Sequence, residues 1–181
     1  MMLPTLLLAL VGAGILAVLY VAYSRTDAHR NGNTFFYVDR RPNRAGRLIG
    51  GFWAGMAGIG LTPSFMVSLE TIGSRTGKRR AIPVVLADHG GERYVVSMLG
   101  ENSPWVWNVR AAGGRAFIKH GRRREVQLVE LPAESRAPVL KAFLMRAPGG
   151  RPHIPVAPDA PLEAFAAVAD SYPVFRIDPA L

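Results

Sequence analysis

Four cationic side chains crowd into the six residues from Arg75 to Arg80, inside the run Thr71-Ile72-Gly73-Ser74-Arg75-Thr76-Gly77-Lys78-Arg79-Arg80. Gly73 and Gly77 let the backbone fold tightly there, and a tight turn aims several N–H donors the same way as the charge. That is the chemistry of an anion site, suited to a phosphate or a polycarboxylate. The spacing is not a nucleotide-binding P-loop, because Gly77-Lys78 runs into Arg79 where that loop needs Ser or Thr. Nor is it a dinucleotide fingerprint, which needs a helix directly after its glycines. A solvated hairpin loop is the competing reading, since cations usually sit in water.

A second cluster, Ser103-Pro104-Trp105-Val106-Trp107-Asn108, puts two indoles and an amide on one short helix. A flat aromatic surface with a polar handle suits a ring-shaped ligand, although tryptophans are more often core. Other chemistry is missing. There is no cysteine, which excludes disulfides, thiolate metal sites and a Cys nucleophile. His29, His89, His120 and His153 show no ligand-like spacing, so no metal site is expected. No Gly-x-Ser-x-Gly occurs, and no catalytic acid, base or nucleophile is assigned. Hydride transfer from a bound cofactor fits that pattern, because it asks the protein mainly to position.

The elements that must hold these residues are strands and short helices. Phe65 to Ile72 and Arg80 to Ala87 read as strands on either side of the basic turn. Pro83 removes one ladder donor, so it belongs at an edge or a bulge. The turn Asp88-His89-Gly90-Gly91 leads to a third strand, Glu92 to Leu99. Ser103 as N-cap and Pro104 at the first position open the tryptophan helix, which stops at Gly113-Gly114. Arg115 to His120 and Arg122 to Leu131 form a hairpin around Gly121. Helices are expected at 133–147 and 162–171, and a last strand at 173–177. Three strands in a row without crossover helices argue against a parallel sheet and for a small closed or nearly closed antiparallel barrel.

The 181 residues make one domain plus attachments, with a net charge of +9 that implies anionic company. Leu3 to Tyr23 carries no charge and is long enough to span a bilayer, which takes about 20 residues. No Lys or Arg precedes it, unlike a cleaved signal peptide. Arg25, Arg30, Arg40, Arg41, Arg44 and Arg47 follow it, which by the positive-inside bias puts the globular part in the cytoplasm. The expected organisation is a single-pass membrane anchor over 1–23, a basic juxtamembrane linker over 24–47 and a globular domain over 48–181. Cleavage near Ala22 to Ser24 is the alternative for the first segment. The glycine-rich apolar stretch Leu48 to Leu61 is too short to span and reads as a buried or interfacial helix. Nucleic-acid binding fits the charge but has no recognition motif behind it.

Taken together, LETIGSRTGKRRAIPVVL, YVVSMLGENSPWVWNVRA, FIKHGRRREVQLVEL and YPVFRI resemble the deazaflavin-dependent nitroreductase family over roughly residues 43–178. The resemblance implies an α+β split β-barrel, antiparallel and FMN-binding-like, with peripheral helices. It implies coenzyme F420 as cofactor, with FMN as the alternative, and hydride transfer to a quinone-like or nitro-type acceptor. Carried over by position, the cofactor's phosphate and oligoglutamate tail fall on Arg75, Thr76, Gly77 and Arg80, with Lys78 and Arg79 beside them. Pro83 and Val84 fall near the deazaflavin ring, Ser97 near the phosphate, and Trp105 and Asn108 on the helix that flanks it. Family members often have Lys after that serine, where this chain has Met98, and Tyr172 is the sole tyrosine of the 145–172 segment. The acceptor therefore stays open. The expected anchor makes menaquinone and the membrane the expected partners, and a homodimer is compatible. An FMN- or haem-binding split barrel and a non-catalytic lipid or fatty-acid carrier are the competing functions.

Overall fold

A computed structural model describes residues 37, 38 and 41–180. A two-stranded ladder, β1 (Tyr37–Val38) with β2 (Arg41–Pro42), leads into helix α1 (Arg44–Gly58). Asn43 caps that helix, its side-chain oxygen accepting the Gly46 N–H at 2.8 Å. Strands β3 (Met66–Ile72), β4 (Arg79–His89) and β5 (Glu92–Val96) follow, then helix α2 (Pro104–Ala111). Strands β6 (Arg115–His120) and β7 (Arg122–Glu130) form the hairpin around Gly121. Helices α3 (Ala137–Arg146) and α4 (Leu162–Ala166) precede the last strand, β8 (Val174–Pro179). Every strand from β3 to β8 pairs antiparallel, and the order β3-β4-β5-β8-β7-β6 closes on itself through the β6–β3 pair.

Alternation along the strands fills the barrel. Val67 and Leu69, Val84 and Leu86, and Val126 and Leu128 point inward, where Val106 and Val109 of α2 plug them with Phe175. A second core lies on the outside, where Leu140, Phe143 and Leu144 of α3 meet Tyr94, Val96 and Tyr172. Each core forms because a strand with apolar residues on both faces needs cover on both.

Several elements depart from the sequence expectation. The helix expected over Leu48 to Leu61 begins earlier and is not buried: Leu48 is 78% exposed, and α1 buries only Ala54, Ala57 and Gly58. Only its smallest residues come close to the barrel, which turns the bulky ones outward. The 133–147 helix splits into a 3-10 turn (Ala133–Ser135) and α3, because Pro138 suits a first helical turn and not an interior. Pro83 stands where expected for a residue without an N–H. It pairs with Ser68 of β3, while the β5 ladder begins only at Leu86, so β4 has a strand on one side there.

The expected membrane location, a single pass with the globular domain cytoplasmic, is corrected. Among the described residues no helix is long and apolar enough to cross a membrane. The 15-residue α1 is about 22 Å long, short of a hydrocarbon core of about 30 Å. The expected span, Leu3 to Tyr23, lies outside the described residues.

Candidate cofactor site

The basic turn closes the β3–β4 hairpin at one end of the barrel. Its backbone is fixed by Gly73 N–H donating to the Lys78 carbonyl at 2.9 Å, and by Gly77 N–H donating to the Gly73 carbonyl at 2.8 Å. Gly77 sits at φ +62°, in the left-handed region that glycine reaches without strain. Gly73 is needed for a different reason. A Cβ there would lie 2.7 Å from the Thr76 hydroxyl, and Thr76 is folded back over the turn beside the Lys78 N–H.

Thr76, Gly77 and Lys78 thus line one compact loop with Arg75, and Arg79 and Arg80 open β4 directly after it. The two arginines differ. Arg80 is the cross-strand partner of Thr71, so the two share a face. Arg79 pairs with Ile72 and reaches toward Glu70, 3.9 Å away. Glu70 is buried, and its closer partner is Arg123 of β7, whose Nε donates to it at 2.7 Å. The Arg123 guanidinium in turn lies 3.4 Å over the Phe117 ring. Among the described residues Arg75, Lys78 and Arg80 make no ion pair. All four cations of the turn are exposed.

Helix α2 stands against this turn. Asn108 is 8% exposed, and its side chain accepts the Ser74 N–H at 3.0 Å while donating to the Thr71 hydroxyl at 3.1 Å. The two sequence clusters, 34 residues apart, are therefore joined by one amide. Trp105 is buried, with its ring centroid 5.3 Å from that of Phe175, whereas Trp107 on the outer side of α2 is 45% exposed.

The far side of α2 is anchored by charge. Arg110 donates to both oxygens of Glu101, at 2.6 and 3.1 Å, and to both of Glu130, at 2.6 and 2.8 Å. These bonds, Glu130 foremost, hold the guanidinium above its ordinary pKa. The Arg110 hydrogen bonds hold the Glu101 carboxyl below the usual carboxylate range. Buried Arg136 ties Glu130 to the start of α3 at 3.1 Å.

Other predicted site residues separate. Val84 faces the barrel interior, and alternation sends Pro83 to the outside, so the two cannot face one ring from the same side. Ser97 is 1% exposed, and its hydroxyl lies 2.8 Å from both the Gly100 carbonyl and the Ser103 hydroxyl. With one proton, it donates to the carbonyl and accepts from Ser103, which fixes the loop before α2. Ser103 consequently caps α2 without a side-chain bond to the helix. A cleft of about 310 Å³, lined by Val109, Gly114, Leu128 and Phe175 among others, contains none of the predicted site residues.

Sequence reasoning missed Thr71, Ser74 and Glu70. Strand alternation places Thr71 on the inward side, but nothing in the sequence pairs it with an amide 37 residues later. Glu70 is visible only as the single acid of a basic region.

The model of the F420H(2)-dependent quinone reductase family matches residues 52–150, more than half of the chain. No curated protein matches. Among solved structures, an F420-H2 dependent reductase (FDR-A) is similar at 20% identity, covering 64% of this chain and 95% of its own, with a TM-score of 0.46. A structure titled F420 Reductase is 14% identical, over 71% of this chain and 94% of its own, with a TM-score of 0.40. A conserved hypothetical protein, Rv2991 from Mycobacterium tuberculosis, is 20% identical over 71% of this chain and 80% of its own, with a TM-score of 0.44.

Proposed function

This chain belongs to the F420H(2)-dependent quinone reductase family, and we propose that its basic turn holds the phosphate and carboxylate end of coenzyme F420. The protein is an F420-dependent oxidoreductase, with coenzyme F420 as its cofactor. What carries the proposal is the set of exposed cations, Arg75, Lys78 and Arg80, that no carboxylate compensates among the described residues. Charge left unpaired around a fixed turn suits a long anion, because binding it releases no existing ion pair. The donor set therefore fits the cofactor's anionic end. Arg79, partly engaged by Glu70, adds to the field, and Thr76 and Gly77 shape the backbone that carries it.

In its reduced form the bound cofactor supplies a hydride. The chain's task is to hold the ring and admit an acceptor. Val84 and Trp105 belong to the apolar core of the barrel, with Val84 paired to Val67 at the end of the hairpin away from the turn, and Ser97 fixes the loop from which α2 starts. Of the two acceptor classes, the quinone is favoured, in line with the family's activity.

The test is anaerobic mixing of the protein and reduced coenzyme F420 with a water-soluble naphthoquinone or a nitroaromatic, following the return of oxidised deazaflavin absorbance. The expected result is oxidation by the quinone well above the protein-free rate. Turnover with the nitroaromatic alone, or with neither, overturns the quinone assignment. Tighter binding of FMN than of coenzyme F420 would overturn the assignment of the turn.

A further inference from the structure

Asn108 is a polar side chain inside a packed helix face, and both ends of its amide are spent on the β3–β4 hairpin. A carboxamide presents an acceptor oxygen and a donor nitrogen in a single plane. Here the acceptor takes an N–H from inside the turn, Ser74, and the donor finds the last inward hydroxyl of β3, Thr71. An apolar residue would fill the same space and leave the Ser74 N–H to water. The turn would then depend on its own short bonds alone.

We propose that Asn108 is a positioning residue that latches the basic turn to α2, holding the cations in place before the cofactor arrives and making no contact with it. This rests on the reading that the turn binds the cofactor's anionic end. A loop ordered in advance loses less entropy on binding, so the latch raises affinity for that end and leaves the ring untouched. Arg110 extends the same logic, since its bonds to Glu101 and Glu130 fix the helix on which the latch stands.

Asn108→Leu removes both bonds at similar volume. Thr71→Val removes one without touching Asn108, and Thr71→Ser keeps the hydroxyl. Two probes separate the roles: coenzyme F420, and the deazaflavin ribitol that lacks phosphate and tail. In cofactor-free Asn108→Leu the Ser74 amide is expected to exchange faster. Its dissociation constant for coenzyme F420 should rise roughly 5- to 30-fold, as expected for one to two lost hydrogen bonds, with little change for the ribitol probe. Thr71→Val should show the same pattern at smaller size, and Thr71→Ser should restore it. If Asn108→Leu does not fold, the Thr71 pair carries the test. Equal loss for both probes with unchanged Ser74 exchange means that Asn108 touches the cofactor directly and overturns the latch. Failure of the underlying reading looks different: Arg75→Ala and Arg80→Ala would leave both dissociation constants unchanged.

Discussion

Replacing Arg75, Lys78 and Arg80 together by glutamine removes three charges while leaving a polar side chain with N–H donors at each position. The expected size follows from their surroundings. Unit charges about 4 Å apart interact by about 1 kcal/mol in bulk water and about 4 kcal/mol at an effective dielectric of 20. All three side chains are exposed, so the aqueous end of that range applies. Three such losses sum to about 3 kcal/mol, or about 150-fold in affinity for coenzyme F420. None of the three makes an ion pair among the described residues, so the melting temperature should hold, and a binding loss cannot be blamed on unfolding. Fluorescence titration at low and high salt is the assay. The difference between native and triple variant should shrink as salt approaches about 1 M, where the Debye length falls to about 3 Å. A triple variant within about threefold of the native dissociation constant at low salt refutes the charge reasoning.

Glu70→Gln removes the buried anion shared by Arg123 and Arg79, and should cost about 1–3 kcal/mol. A thermal melt should then fall by about 3–10 °C, and an unchanged melt would show the pair to be idle. Glu101 has its carboxyl held below the usual range by Arg110, so its stabilisation is present above the unfolded pKa and lost as pH falls through the folded one. Glu101→Gln should therefore flatten the acid limb of stability, by under about 1 kcal/mol because Glu101 is 43% exposed. Acid limbs that superimpose would contradict this. Gly114→Ala brings a Cβ within 2.6 Å of the Leu128 carbonyl at φ +91°, whereas at Gly77 the added Cβ meets open space. The first should cost more than about 2 kcal/mol and the second about 1 kcal/mol, read from denaturant midpoints; equal costs would mean the backbone clash is relieved.

The barrel was legible because its strands announce themselves locally: β-branched runs separated by Gly90-Gly91 and Gly121, both glycine positions at positive φ. The tryptophan helix was legible from Ser103, Pro104 and Gly113-Gly114, although Ser103 turned out to bond Ser97 in place of the helix. Of the two readings open for the 48–61 helix, buried or interfacial, the buried one does not hold, because apolar content says how much surface a helix could hide, and not which residues reach a neighbour. Here Ala54, Ala57 and Gly58 do. Of the candidate site, the cations of the turn read directly from spacing. The latch did not, because Thr71, Ser74 and Asn108 meet only when the barrel closes, and each alone is an ordinary polar residue. Pro83 and Val84 show the converse. Adjacent in sequence, they stand on opposite faces of β4.

A crystal structure with coenzyme F420 bound tests the central claim most directly. The account predicts phosphate or carboxylate oxygens within about 3 Å of the Arg75 and Arg80 guanidinium groups, with the Ser74–Asn108 bond kept. An anionic end lying instead in the cleft of Val109, Gly114 and Leu128, with the turn untouched, would contradict it.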